Sequence, residues 1–291
     1  MPRPLEQIRG AYERAKSLCA QDWASDSAGT ALRDLIVTCL RFLGAQCSPV
    51  ALVSKVEGKD YISFARRDAP KSLSRPANVA LFLADARGMA NRWDDWLAGA
   101  LQPGEIASLS YTAALAPCLA MELFDRQNKK GPATYFECLI GHVFARTLGV
   151  NPRKHATIPV CGRHVRLTMD FLFDAEGRGC LHLAVKMSTR ERVVQAWSHQ
   201  RILDGAFGEG IYKGIMVLFS ETKLDSRSRE VVEICVPDQW LTYQTLLAKM
   251  DRIYYFDMPR RYKELADACP GVLTIKPFAE FFTEKGSVLP A

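Results

Sequence analysis

Two regimes of hydrophobic spacing divide the chain. Up to about residue 148 the apolar positions recur every three to four residues, as on an amphipathic helix; from about residue 157 they alternate or run together, as in strands. Helices are expected over 5–20 and over 31–43, where Leu32, Leu35, Ile36, Cys39, Leu40 and Leu43 form one stripe. Helical spacing returns over 78–100 and 104–127. Between them, 54–75 is polar, basic and punctuated by Gly58 and Pro70, which predicts a loop or short strands. Asn128-Lys129-Lys130-Gly131-Pro132 breaks the pattern, and a further helix is expected over 133–148, closed by Gly149.

The second regime predicts a hairpin over 157–166 turning at Cys161-Gly162. A second pair follows over 167–173 and 180–187, joined by the glycine-containing stretch 174–179. A helix is expected over 190–207, with an apolar stripe of Val193, Val194, Trp197, Ile202 and Leu203. The apolar runs 214–219 and 231–236 read as strands, 239–251 and 260–268 as helices, and 272–275 as a short strand. No internal repeat is visible. The fold class implied is α/β, with a mainly helical N-terminal region over 1–130 and a mixed central sheet flanked by helices over 131–291.

Composition narrows this only slightly. The 291 residues are 48% hydrophobic and 24% charged, ordinary for a globular protein. A net charge of +6 permits a nucleic-acid partner without demanding one. Nine cysteines are scattered without a C-x-x-C pair, which argues for reduced core thiols rather than a zinc site. No apolar run approaches the roughly 20 residues of a membrane span, and the N-terminal residues carry no secretory h-region. The expectation is a cytoplasmic protein with no membrane partner.

The densest chemistry lies between Met169 and Arg192. With a turn centred near Gly177, Asp170 falls opposite Ala184, and Lys186 projects to the same side, two residues on. An aspartate there can bind Mg²⁺, and a lysine beside it can orient an attacking water or stabilise charge growing on a phosphate. Arg190, Glu191 and Arg192 then open the next helix. Arginine binds guanine O6 and N7, and a carboxylate accepts from cytosine N4, so two arginines around one glutamate match a C·G-rich edge. Arginines near a helix N-terminus oppose its dipole, and an anionic partner supplies a reason for them.

These residues resemble the PD-(D/E)xK nuclease core, in which an Asp starts one strand and a (D/E)-x-K triplet ends the next. Here the triplet is Ala184-Val185-Lys186, and Met169 stands where proline is usual. The branch that shares this missing acid is the type II restriction endonucleases that read CCGG or CCNGG. That branch has Arg-(Asp/Glu)-Arg at the fourth to sixth positions after the lysine, as Arg190, Glu191 and Arg192 stand here, and a helical glutamate upstream, as Glu137 stands 33 residues before Asp170. Its migrated carboxylate lies 13 or 14 residues after the lysine, where this chain has His199 and Gln200. Gln200 could support a metal-bound water through its amide oxygen; Asp204, one helical turn on, is a weaker substitute.

The resemblance covers about residues 132–225 and implies a Mg²⁺-dependent endodeoxyribonuclease of bacterial or archaeal cytoplasm. Asp170 and Glu137 would arrange the metal, Lys186 and Gln200 would complete the catalytic set, and Arg190, Glu191 and Arg192 would read bases. A palindromic duplex DNA site implies a homodimer, or a tetramer, functionally paired with a cognate DNA methyltransferase. Two other readings stay open: a repair or structure-specific nuclease of the same superfamily, and a DNA-binding protein whose site has decayed.

Overall fold

The structure, a computed structural model, describes residues 4–125, 127–128, 130–175, 179–189, 193–225 and 227–289. In chain order come α1 (Pro4–Gln21), α2 (Asp26–Gln46), β1 (Cys47–Ser54), β2 (Tyr61–Arg66), β3 (Ala69–Leu73) and β4 (Ala77–Asn78). Next are α3 (Ala86–Asn91), α4 (Trp93–Ala98), α5 (Pro103–Phe124), α6 (Lys130–Leu148), β5 (Arg153–Val160), β6 (Arg163–Ala175) and β7 (Gly179–Lys186). The remainder is α7 (Val193–Phe207), β8 (Tyr212–Leu218), β9 (Thr222–Leu224), β10 (Glu230–Glu233), α8 (Pro237–Leu246), β11 (Arg252–Tyr255), α9 (Arg260–Ala268), β12 (Ile275–Pro277) and α10 (Phe281–Val288). The chain forms two compact units, Met1–His142 with Thr222–Ile234, and Val143–Glu221 with Cys235–Ala291.

The first unit carries a sheet of its own, ordered β3-β2-β1-β10-β9 with β4 on β2. The segment 54–75 therefore resolves as strands, and they pair although they are polar because their buried groups are satisfied. Ser63, fully buried, donates to Ser74 O at 2.9 Å, and Ser74 Oγ accepts from Phe64 N at 3.0 Å. The single helix expected over 78–100 is corrected to β4 and two short helices. Asp85 caps α3 by accepting from Gly88 N at 2.8 Å, and Gly99 ends α4 with a φ of 73°, a left-handed conformation that glycine adopts without a Cβ penalty. Expected strand 231–236 is the four-residue β10, parallel to β1 through Val53↔Glu230 and Ser54↔Val231, with only Val231 of it buried. Among the described residues α5 is the one helix long and apolar enough to cross a membrane, yet 89% of its apolar window is buried inside the protein.

The second unit is built on the sheet β12-β11-β8-β7-β6-β5. The strands β5, β6 and β7 are antiparallel neighbours, while β7, β8, β11 and β12 run parallel, so the sheet is mixed. Its turn between β5 and β6 falls at Cys161 (φ 49°) and Gly162 (φ 72°), the pair of left-handed residues that a two-residue hairpin of matching twist requires. A core of Trp197, Trp240, Tyr255 and Tyr262 packs with Met216, Leu218 and Ile253. Phe144, Phe173, Phe278 and Phe281 form a second aromatic group.

Three sequence expectations change here, and the first is the strand expected over 272–275, which forms as Ile275–Pro277. The buried residues of α7 include Ala196, Trp197, Gln200 and Leu203, whereas Val194 and Ile202 are exposed, so the apolar stripe is rotated toward a face that admits a glutamine. The helix expected over 239–251 stops at Leu246, and after a five-residue connection β11 pairs Ile253 with Met216.

Candidate active site

Asp170 and Lys186 meet on adjacent strands. The β6–β7 ladder pairs Phe171 with Leu183 and Leu172 with His182, the register expected from a turn near 177. On the other side of β6 the ladder is irregular: Arg153 pairs with Leu172, but His155 pairs with Thr168. Two steps on β5 thus face four on β6, with Asp170 midway between Thr168 and Leu172. Such irregularities bend a strand and re-aim a side chain, and they are frequent beside active sites.

Lys186 Nζ donates to both carboxylate oxygens of Asp170, at 2.9 and 2.7 Å, and Val185 N donates to Oδ2 at 2.9 Å. Both side chains are partly accessible, 21% for the lysine and 17% for the aspartate, so the pair can meet a substrate. The strand end beyond it is fixed. Lys186 O accepts from Phe219 N at 3.1 Å and Met187 O from Ser220 N at 3.2 Å, extending the β7–β8 pairing past the lysine.

Gln200 is buried beside this strand with its amide fully engaged. Its Nε2 donates to Tyr212 O at 2.8 Å and to Asp204 Oδ1 at 2.9 Å, which leaves Oε1 facing His182 Nδ1 at 2.9 Å. His182 therefore carries its proton on Nδ1, and its buried Nε2 has no hydrogen-bond partner. Burial holds this imidazole neutral, lowering its pKa to about 4 against the opposing pull of the Gln200 hydrogen bond. His199, 6.2 Å away between ring centroids, is also lowered by burial. Burial pushes the Asp204 carboxyl up, partly offset by its bond from Gln200. The Gln200 amide oxygen accepts a hydrogen bond from His182, and the amide ties β7, α7 and β8 together.

Arg190, Glu191 and Arg192 lie outside the described residues. The residue before them is anchored by a group the sequence reading missed. Glu221, completely buried, accepts from Thr189 N at 3.0 Å, Thr189 Oγ1 at 2.6 Å and Tyr255 OH at 2.8 Å. A carboxylate two residues after the apolar run 214–219 was the available signal, since a charge buried just beyond a core strand has to be paired. Glu137 sits half-buried on α6, in the part of that helix that belongs to the first unit, whereas Asp170 and Lys186 belong to the second.

A mixed sheet flanked by helices, with an acid and a lysine on adjacent strands, defines a restriction-endonuclease-like α/β fold. The chain is similar in structure to the Type IIP restriction endonuclease Kpn2I, with a TM-score of 0.80 over 96% of each chain at 21% sequence identity. A restriction endonuclease PspGI–substrate DNA complex aligns over 98% of this chain and 92% of its own, at a TM-score of only 0.38 and 12% identity. No family model and no curated protein matches the sequence.

The donor set suits a hard divalent cation of few protein ligands. Among the described residues no three of His, Cys, Asp and Glu converge as a metal-binding group, so a dedicated protein cage is not built. Mg²⁺ is ordinarily held by one or two carboxylates together with waters and substrate phosphates, and Asp170 offers one accessible carboxylate for that purpose.

Proposed function

We propose that this protein is a type II restriction endonuclease, hydrolysing both strands of a palindromic duplex containing CCGG or CCNGG. The observation that supports it most is the Asp170–Lys186 pair, set at a strand irregularity in a fold shared with a restriction endonuclease. Asp170 would hold Mg²⁺, with Glu137 as the further carboxylate on its sequence spacing alone. Bound there, the cation would supply positive charge against the scissile phosphate. Lys186 would use its ammonium donors to orient a water or to meet a non-bridging phosphate oxygen. Arg190, Glu191 and Arg192 would read the C·G pairs, each good contact discriminating by about 1–3 kcal/mol. A twofold-symmetric target suits a homodimer or a tetramer of such chains, kept off its own genome by a cognate DNA methyltransferase.

Digestion of a sequenced plasmid tests this reading. Wild type with Mg²⁺ is expected to give discrete fragments whose ends all map to CCGG or CCNGG, while Lys186→Ala and an EDTA control leave the plasmid intact. Random nicking would remove the specificity, and specific binding without cleavage under several divalent metals would replace the nuclease with a DNA-binding protein.

A further inference from the structure

We infer that the β5–β6 ribbon is an arm that grips the phosphate backbone of the duplex outside the bases that are read. The inference rests on the nuclease reading above. From Arg153 to Met169 the chain carries Arg153, Lys154, His155, Arg163, His164 and Arg166, and no Asp or Glu at all. Two of these cations are occupied at the root of the arm. Arg153 pairs with Asp174 at 2.6 Å, and Lys154 lies over the Phe171 ring at 4.6 Å. Arg163 and Arg166, further out, are exposed, and no carboxylate pairs with either among the described residues.

The ladder decides how the arm presents them. Val160 is opposite Arg163 and Thr157 opposite Arg166. Positions three apart on a strand point to opposite faces, so each face of the ribbon carries one arginine. A flat partner would meet only one face. A groove wide enough for a two-stranded ribbon, such as the DNA major groove, has a phosphate wall on each side. The arm is rigidly rooted: Ala156 and Ile158 are buried against Met169, Leu203 and Tyr212, while Val160 and Val165 near the tip stay about half exposed. A second copy of this chain is the other conceivable occupant, but it would bring an arm of the same charge.

Reach fits the same partner. Seven strand steps separate Arg163 from Asp170, about 23 Å along the strand and about seven base pairs at a rise of 3.4 Å. Phosphates that far from the cut lie beyond a short palindrome, where contacts add affinity without adding sequence information.

The test compares wild type, Arg163→Ala/Arg166→Ala and Arg163→Lys/Arg166→Lys, by fluorescence anisotropy in EDTA between 50 and 200 mM salt. One duplex is long, extending well beyond the site on both sides; the other is trimmed to the site. On the long duplex the alanine pair should flatten the slope of log K against log salt by about 2, and the lysine pair should restore it, because each phosphate contact contributes about 0.9. On the trimmed duplex all three should bind alike. Equal slopes on the long duplex would overturn the arm, as would a change in sedimentation of the alanine pair with its DNA slope intact, which would make the ribbon a contact between copies. Wild type that binds DNA with these slopes yet cuts nothing would sink the nuclease reading while leaving the arm standing.

Discussion

Lys186 donates two hydrogen bonds to the one carboxylate of Asp170, which also receives the Val185 amide, so three hydrogen bonds from two donor groups converge on a single acid. The aspartate is thus held by the lysine and by the backbone of the neighbouring strand together. Lys186→Ala and Asp170→Asn should each lower single-turnover cleavage roughly 10²–10⁴-fold. Binding to the cognate duplex in EDTA should persist, and variants that lose binding and cleavage together would speak against a catalytic role.

Gln200 should behave as a cross-link. Gln200→Ala strands the His182 Nδ1 proton and frees the Tyr212 carbonyl inside the protein, a cost of about 1–3 kcal/mol for each buried group left unpaired. Denaturant titration would measure it. Cleavage per folded molecule should fall much less than in Lys186→Ala; a loss as deep at unchanged stability would make Gln200 part of the catalytic set.

The same pair makes stability depend on pH. His182 has a folded pKa of about 4, below the ordinary value of 6.5, so the unfolded chain binds this proton more readily. The stability it contributes is complete above pH 6.5 and is lost as pH falls from 6.5 toward 4, by about 3 kcal/mol in all, since each tenfold change in proton affinity is worth about 1.4 kcal/mol. The lowered His199 acts in the same direction. Unfolding free energies across that window should have a shallower slope in His182→Asn than in wild type; identical slopes would remove His182 as the cause.

Glu221 joins Thr189 to Tyr255, and Thr189 is the last residue before Arg190. Glu221→Leu should destabilise by about 3 kcal/mol, as expected when hydrogen-bonded partners of a buried charge lose it. The milder Glu221→Gln keeps the shape and should relax discrimination between cognate and single-mismatch sites more than it lowers the cleavage rate on the cognate. Competition cleavage on a mixture of such duplexes gives the ratio directly.

The sequence made the β6–β7 hairpin legible because a glycine turn and period-two alternation leave one register that buries the apolar side chains, and that register puts Asp170 beside Lys186. The turn at Cys161-Gly162 was legible for the same local reason. The first unit's sheet was not. Its strands β1, β2 and β3 are short and partly polar, and β1 finds its other neighbour in β10, about 180 residues along the chain, a pairing that no local pattern encodes. Spacing singled out Gln200 without revealing that its amide faces His182, Tyr212 and Asp204, partners that come together only in the fold. Glu221 was overlooked because its partners, Thr189 and Tyr255, come from distant stretches of chain.

The return of residues 222–234 to the first unit sets an order of events during synthesis. The strand β1 can take its β2 neighbour early, but its other edge stays bare until β10 has left the ribosome, after β5, β6, β7 and β8 of the second unit have already been made. An unpaired edge that waits this long invites pairing with another chain. A fragment ending at residue 142 should therefore aggregate when expressed alone, and supplying 222–234 through an engineered short linker should make it monodisperse. For this protein the two units are compact in space but not separable along the chain, and neither can be cut out as one continuous piece.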